Sequence, residues 1–128
     1  MTGNNAVQLV PVVPVVVTYR SGDIDMVAAF ETAERTQKAK MDGWAEVFDF
    51  ALAEPIFIDL PTHPSCETMV REIMNTVERL NLDGVVAAST EYLRRAGLYD
   101  TLPDTVRKAN KRLWIADRGS LPLWELLY

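Results

Sequence analysis

The chain has 128 residues, 48% apolar, 24% charged and 9% aromatic, proportions of an ordinary globular domain that exclude collagen-like, mucin-like and wholly disordered classes. Thirteen Lys and Arg against 18 Asp and Glu leave a net charge of −5, too small to point to a polyanionic or polycationic partner. One Cys and one His exclude a cystine framework and most zinc sites by count, and the length fits a single domain over 1–128.

No Lys or Arg precedes the first apolar run, and Pro11 and Pro14 interrupt it, so no secretory signal is expected. Val7 to Tyr19 is also shorter than the roughly 20 apolar residues of a spanning helix. The reading is therefore no membrane span and an intracellular, cytoplasmic protein. The same stretch is rich in valine, which predicts a first strand that is apolar on both faces. Each proline removes a backbone donor, so the strand is expected mainly from Val12 onward.

From Ile24 the period changes. Met26, Phe30, Ala33, Gln37, Met41, Trp44, Phe48 and Ala51 recur at three- and four-residue steps, one face of a long helix, with Asp42–Gly43 a candidate break within it. Ile56 to Leu60, between Pro55 and Pro61, predicts a short second strand. Ser65 is placed to cap a helix whose apolar stripe is Met69, Val70, Ile73, Met74, Val77 and Leu80. Val85 to Ala96 is read as a third helix closed by Gly97 and Leu98, and Leu102 to Ala116 as a fourth, opened by Thr101, Pro103 and Asp104. The last segment, Leu121 to Tyr128, is almost wholly apolar and is expected to dock in cis or in trans. The expected architecture is α+β and helix-dominated, with a short two- or three-stranded sheet packed against about four helices.

Three residues could carry chemistry: Asp59, His63 and Cys66. A thiol in the first turn of a helix, with an imidazole to take its proton and a carboxylate to orient the ring, is a nucleophile's arrangement. The structural reading is stronger: a loop charge, a turn residue between prolines and a small apolar filler, with no surrounding signature of a cysteine enzyme. No catalytic residue is therefore assigned. Asp42, Glu46 and Asp49 read as a solvated acidic face, and the six glycines are too widely spaced for a phosphate loop, so neither metal nor cofactor is expected.

Charge is unevenly placed: residues 1–93 hold 6 positive and 14 negative groups (−8), residues 94–128 hold 7 and 4 (+3). Arg107, Lys108, Lys111 and Arg112 fall on one face of the expected fourth helix. That face suits an acidic partner surface, and with Trp124, Leu126, Leu127 and Tyr128 it makes the expected partner-binding set. The function this supports is a non-enzymatic interaction or assembly factor, a small subunit, adaptor or inhibitor, bound to a protein partner or a second copy through its apolar tail, a sheet edge and the basic face. The alternatives are a small enzyme using Cys66 and His63, and a helix-turn-helix-like nucleic-acid binder using residues 94–112.

Overall fold

A computed structural model describes residues 7–15, 26–59, 66–119 and 121–123, with backbone alone at 15, 26–33, 59 and 66. The chain runs β1 (Gln8–Val15), α1 (Met26–Phe48), β2 (Ala51–Leu52), β3 (Ile56–Asp59), α2 (Cys66–Arg79), β4 (Gly84–Ala87), α3 (Thr90–Arg95), α4 (Leu102–Lys108) and β5 (Arg112–Ile115), followed by a 3-10 turn at Ala116–Arg118.

All the strand pairings are parallel. β1 lies inside the sheet, paired with β4 on one side and with β2 and β3 on the other, and β5 extends the sheet beyond β4. Alternate β1 side chains face opposite helical layers. Leu9 and Val13 join Val86, Ala88 and Trp114 against Met41, Trp44 and Ala45 of α1. Val10 and Val12 join Ile58, Val85, Leu113 and Ile115 against Met69, Ile73 and Val77 of α2, Leu93 of α3, and Leu102 and Val106 of α4. Helices on both faces are what an all-parallel sheet requires, because both of its faces are apolar.

This overturns the expected architecture: the sheet has five strands rather than two or three, and it lies between helical layers rather than beside them. Two expected helices dissolve to supply the difference. Val85 to Ala96 is β4 followed by the short α3, because Gly84 to Ala87 is buried throughout and gains its backbone partners from β1 and β5. The helix expected to run from Leu102 to Ala116 stops at Lys108. Asn110 takes a left-handed conformation (φ 61°), its N–H donates to the Arg107 carbonyl, and the Lys111 N–H donates to the Val106 carbonyl. This is the two-bond Schellman closure of a helix end, and it releases Arg112 into β5.

The same two-bond closure ends α2 and α3, and its longer bond alone ends α1. Asp49 (φ 60°), Asn81 (φ 53°) and Gly97 (φ 76°) occupy the left-handed position, and Phe50, Leu82 and Leu98 donate back to Ala45, Val77 and Leu93. Leu82 and Leu98 are buried, so each helix end is also an apolar anchor. Gly43 does not divide α1, which runs unbroken to Phe48. Thr101 precedes α4 without a side-chain cap; Asp104 bonds Arg107 and Lys108 instead.

The prolines of β1 sit where the ladder is already interrupted. The Val7 and Leu9 carbonyls accept from Ala51 and Ala53, so odd-numbered residues face the β2–β3 edge and even-numbered ones face β4. Opposite Pro11 the edge carries one extra residue: Leu9 pairs with Leu52 but Val12 pairs with Ile56. That is a bulge, and the missing N–H falls within it. Pro14 faces β4 beyond the last β1–β4 pair, Val12 with Ala87, so it deprives no ladder partner. Both prolines are therefore accommodated inside an interior strand, and the strand begins at Gln8 rather than at Val12.

Candidate functional site

The chain order fixes where a ligand could enter. From β1 the chain crosses to β3 on one side; from β3 it crosses back over β1 to β4 on the other. α1, which follows β1, and α3, which follows β4, pack on opposite faces, so the strand order reverses between these two strands; their carboxyl ends are the usual ligand position in open parallel sheets. The β1–α1 and β3–α2 connections, residues 16–25 and 60–65, lie outside the described residues.

What is described at this edge is a polar seam above an apolar floor. Gln37 of α1 is 1% exposed, and its Nε2 donates to the Pro14 carbonyl at 2.8 Å. Pro14 faces β4, so this bond holds the Gln37 amide in the gap between β1 and β4, past the end of their ladder. Gln37 Oε1 is buried and, among the described residues, has no hydrogen-bond partner. After β4, Ala88 is fully buried and half-buried Ser89 is extended (φ −157°, ψ 163°), preceding α3 without making a side-chain cap.

Two of the three chemistry-bearing residues have their backbone at the same edge: Asp59 is the last residue of β3, paired with Val15, and Cys66 opens α2. His63 lies outside the described residues, and of Asp59 and Cys66 the backbone alone is described. Gln37 is the site residue that sequence reasoning missed. It was read as one more member of the inward stripe between Ala33 and Met41, and a polar residue in that stripe was the available signal.

The expected basic face is dispersed. Arg107 and Lys108 share α4 but both bind Asp104, at 3.3 and 3.0 Å. The hydrogen bond from the Lys108 ammonium is the largest effect holding the Asp104 carboxyl below its ordinary value of 3.8; desolvation, the next largest, opposes it, and the charge of Lys108 and then Arg107 add to the lowering. Lys111 falls in the turn and Arg112 opens β5, so the four cations do not form one helical face. Arg94 and Arg95 bind Glu91, at 3.4 and 3.1 Å, and Arg94 also lies 4.9 Å from the Tyr99 ring centre. Residues 94–112 comprise the end of α3, the turn that follows it, the whole of α4 and the first residue of β5. Of the expected tail, Leu123 is buried in the α2-side core and Leu121 is half exposed, while Trp124, Leu126, Leu127 and Tyr128 lie outside the described residues.

Elsewhere, α2 and α4 enclose an open groove of about 510 Å³, floored by Val70 and Met74 and rimmed by Glu67, Arg71 and Thr105. Its charged rim is already an ion pair, Arg71 with Glu67 at 2.9 Å. Among the described residues no three His, Cys, Asp or Glu side chains converge to hold a metal, and no helix is long and apolar enough to cross a membrane. Compared with known protein families, with curated proteins and with solved structures, the chain matches none.

Proposed function

We propose that this protein binds a small polar ligand in the crevice at the carboxyl edge of β1 and β4. The observation that supports this most is the buried Gln37 amide held at the point where the strand order reverses, with its oxygen unpartnered. A buried acceptor without a donor costs about 1–3 kcal/mol, an expense a core position has no reason to retain when an apolar side chain of the same shape would serve. The lone cysteine fits an intracellular setting.

The test is amide shift mapping on the isotopically labelled chain with small metabolite-like probes. Perturbations are expected to concentrate at Val15, Ser89 and Thr90. Perturbations confined to the α2–α4 groove, or none from any probe, would refute the reading.

A second reading is docking to a protein partner or a second copy. It is supported by β5, which among the described residues has a strand neighbour on its β4 side only, and by half-exposed Leu121 close after it in sequence. An open strand edge can accept another chain. Light scattering after size exclusion tests self-association, and co-purification from cell extract tests a foreign partner. A strictly monomeric chain that captures nothing would remove it.

A further inference from the structure

We propose that the sheet edge formed by β2 and β3 docks an extended, lysine- or arginine-bearing segment of a partner protein, which adds to β3 as a further strand. The proposal is independent of the crevice and concerns the edge opposite β5. Among the described residues β2 and β3 have a strand neighbour only in β1. Ala51 and Ala53 donate to β1, so Leu52 between them turns its main-chain groups outward. Odd-numbered β1 residues face this edge and Val13 is paired with Phe57, so Ile56 and Ile58 bond β1 while the Phe57 N–H and carbonyl turn away from it. Phe57 is 41% exposed, which leaves the edge uncovered at this residue. Ile56 and Ile58 pack on the α2 side, so the Phe57 ring stands on the α1 side. Three of the five large apolar side chains exposed among the described residues, Val47, Phe48 and Phe57, fall between the last turn of α1 and β3.

Charge decides the occupant. Residues 41–70 hold six carboxylates and no Lys or Arg (−6), whereas the rest of the chain holds 12 carboxylates and 13 cations (+1), so this stretch carries the excess negative charge. Asp42, Glu46, Asp49 and Glu54 are exposed, and among the described residues none of them is in an ion pair. Glu46 lies in the last turn of α1 and Asp49 just past it, where no basic residue offsets them and where negative charge opposes the helix dipole. A cationic strand relieves that repulsion. Nucleic acid or an anionic lipid surface would add to it. A second copy would bring the same carboxylates together, so the edge is guarded against its own kind and open to a basic segment. Main-chain bonds at Phe57 supply the attachment, and the carboxylates select the sequence.

The experiment uses the full chain and three short, end-blocked peptides. The first alternates valine and lysine, the second has glutamate in place of lysine, and the third is the first N-methylated along one edge, so that it keeps its charge but loses main-chain donors. Amide NMR and fluorescence anisotropy read the binding. The valine–lysine peptide is expected to bind, to shift the Leu52 and Phe57 amides, and to weaken several-fold as the Debye length falls from about 10 Å at 0.1 M salt to about 3 Å at 1 M. The glutamate peptide is expected not to bind. Glu46→Lys combined with Glu54→Lys should weaken the lysine peptide by about tenfold. The N-methylated peptide should bind the unaltered protein at least about tenfold more weakly, so the proposal stays testable if the variant does not fold. Four results would overturn it: the lysine peptide does not bind; the N-methylated peptide binds as tightly, leaving a diffuse charge contact only; the shifts fall elsewhere; or the Leu52 and Phe57 amides move with protein concentration alone, making a second copy the occupant. Shifts at Val15, Ser89 and Thr90 belong to the crevice, so either reading can fail without the other.

Discussion

The β5 backbone lies against Gly84 where a side chain would stand, and this makes Gly84→Ala a demanding test of the sheet. A Cβ built on Gly84 would overlap the Arg112 carbonyl oxygen and lie 2.9 and 3.1 Å from the Arg112 carbonyl carbon and nitrogen, where 3.4–4 Å is ordinary contact. The obstacle is backbone, so no side chain can rotate aside. β4 and β5 would have to separate at the pair that begins their ladder, stretching the Arg112 N–H to Asp83 carbonyl bond, already 3.4 Å. Overpacking of a close-packed interior costs about 1–3 kcal/mol and a lost ladder bond about 1 kcal/mol. The expected loss is thus about 2–4 kcal/mol, or about 10 °C in Tm for a chain of this size. Gly43→Ala is the internal control. It is an exposed position within α1 with nothing within 4 Å of the added Cβ, so it should stabilise by about 0.5–1 kcal/mol through helix propensity. Urea and thermal denaturation of both variants read the contrast. A Gly84→Ala protein within about 0.5 kcal/mol of the parent would refute the β4–β5 packing described above.

Asn110→Gly should be neutral or slightly stabilising, whereas Asn110→Val should cost about 1–2 kcal/mol by placing a β-branched residue at φ 61°; equal stabilities by urea titration would contradict the helix closure. Leu98→Ala removes a fully buried anchor after α3 and should cost about 2–5 kcal/mol, measured the same way. Asp104 should titrate below 3.8 by carboxyl-carbon NMR, and Lys108→Ala should move the midpoint upward. Because its folded value is the lowered one, its contribution to stability is present above the unfolded value and is lost as pH falls through the folded one, so an unchanged midpoint would exclude the ion pair as the cause.

How far the sequence announced this fold depended on whether a segment exposes one face. α1 and α2 do, and their three- and four-residue periods were legible, as was the Gly97–Leu98 closure. β4 does not. Val85, Val86, Ala87 and Ala88 are all fully buried, and a segment buried on both faces has no period to read. Glycine was recognised as a helix stop, but Asn81 and Asn110 serve the same function through a short polar side chain that tolerates the left-handed conformation. That one omission at Asn110 merged α4 with β5, removed a strand from the expected sheet and assembled a basic face that the backbone does not make. At the candidate site, Asp59 and Cys66 were visible as chemical types. That they share an edge with Gln37 followed only from the strand order.

The prolines of β1 connect the fold to the site. A proline in an interior strand is normally excluded because it leaves a neighbour's carbonyl without a donor. Here Pro14 cannot donate toward β4, so the β1–β4 ladder has no means of continuing past Val12 and Ala87, and β4 is free to turn away through Ser89 into α3. The Pro14 carbonyl still faces that gap and, being buried, must be satisfied. Gln37 satisfies it from α1, and in doing so fixes the direction of its own buried oxygen. The residue that ends the ladder therefore also orients the acceptor. Replacing Pro14 would supply a new backbone donor to the same gap, so the polarity of the crevice depends on a strand residue as much as on the loops around it.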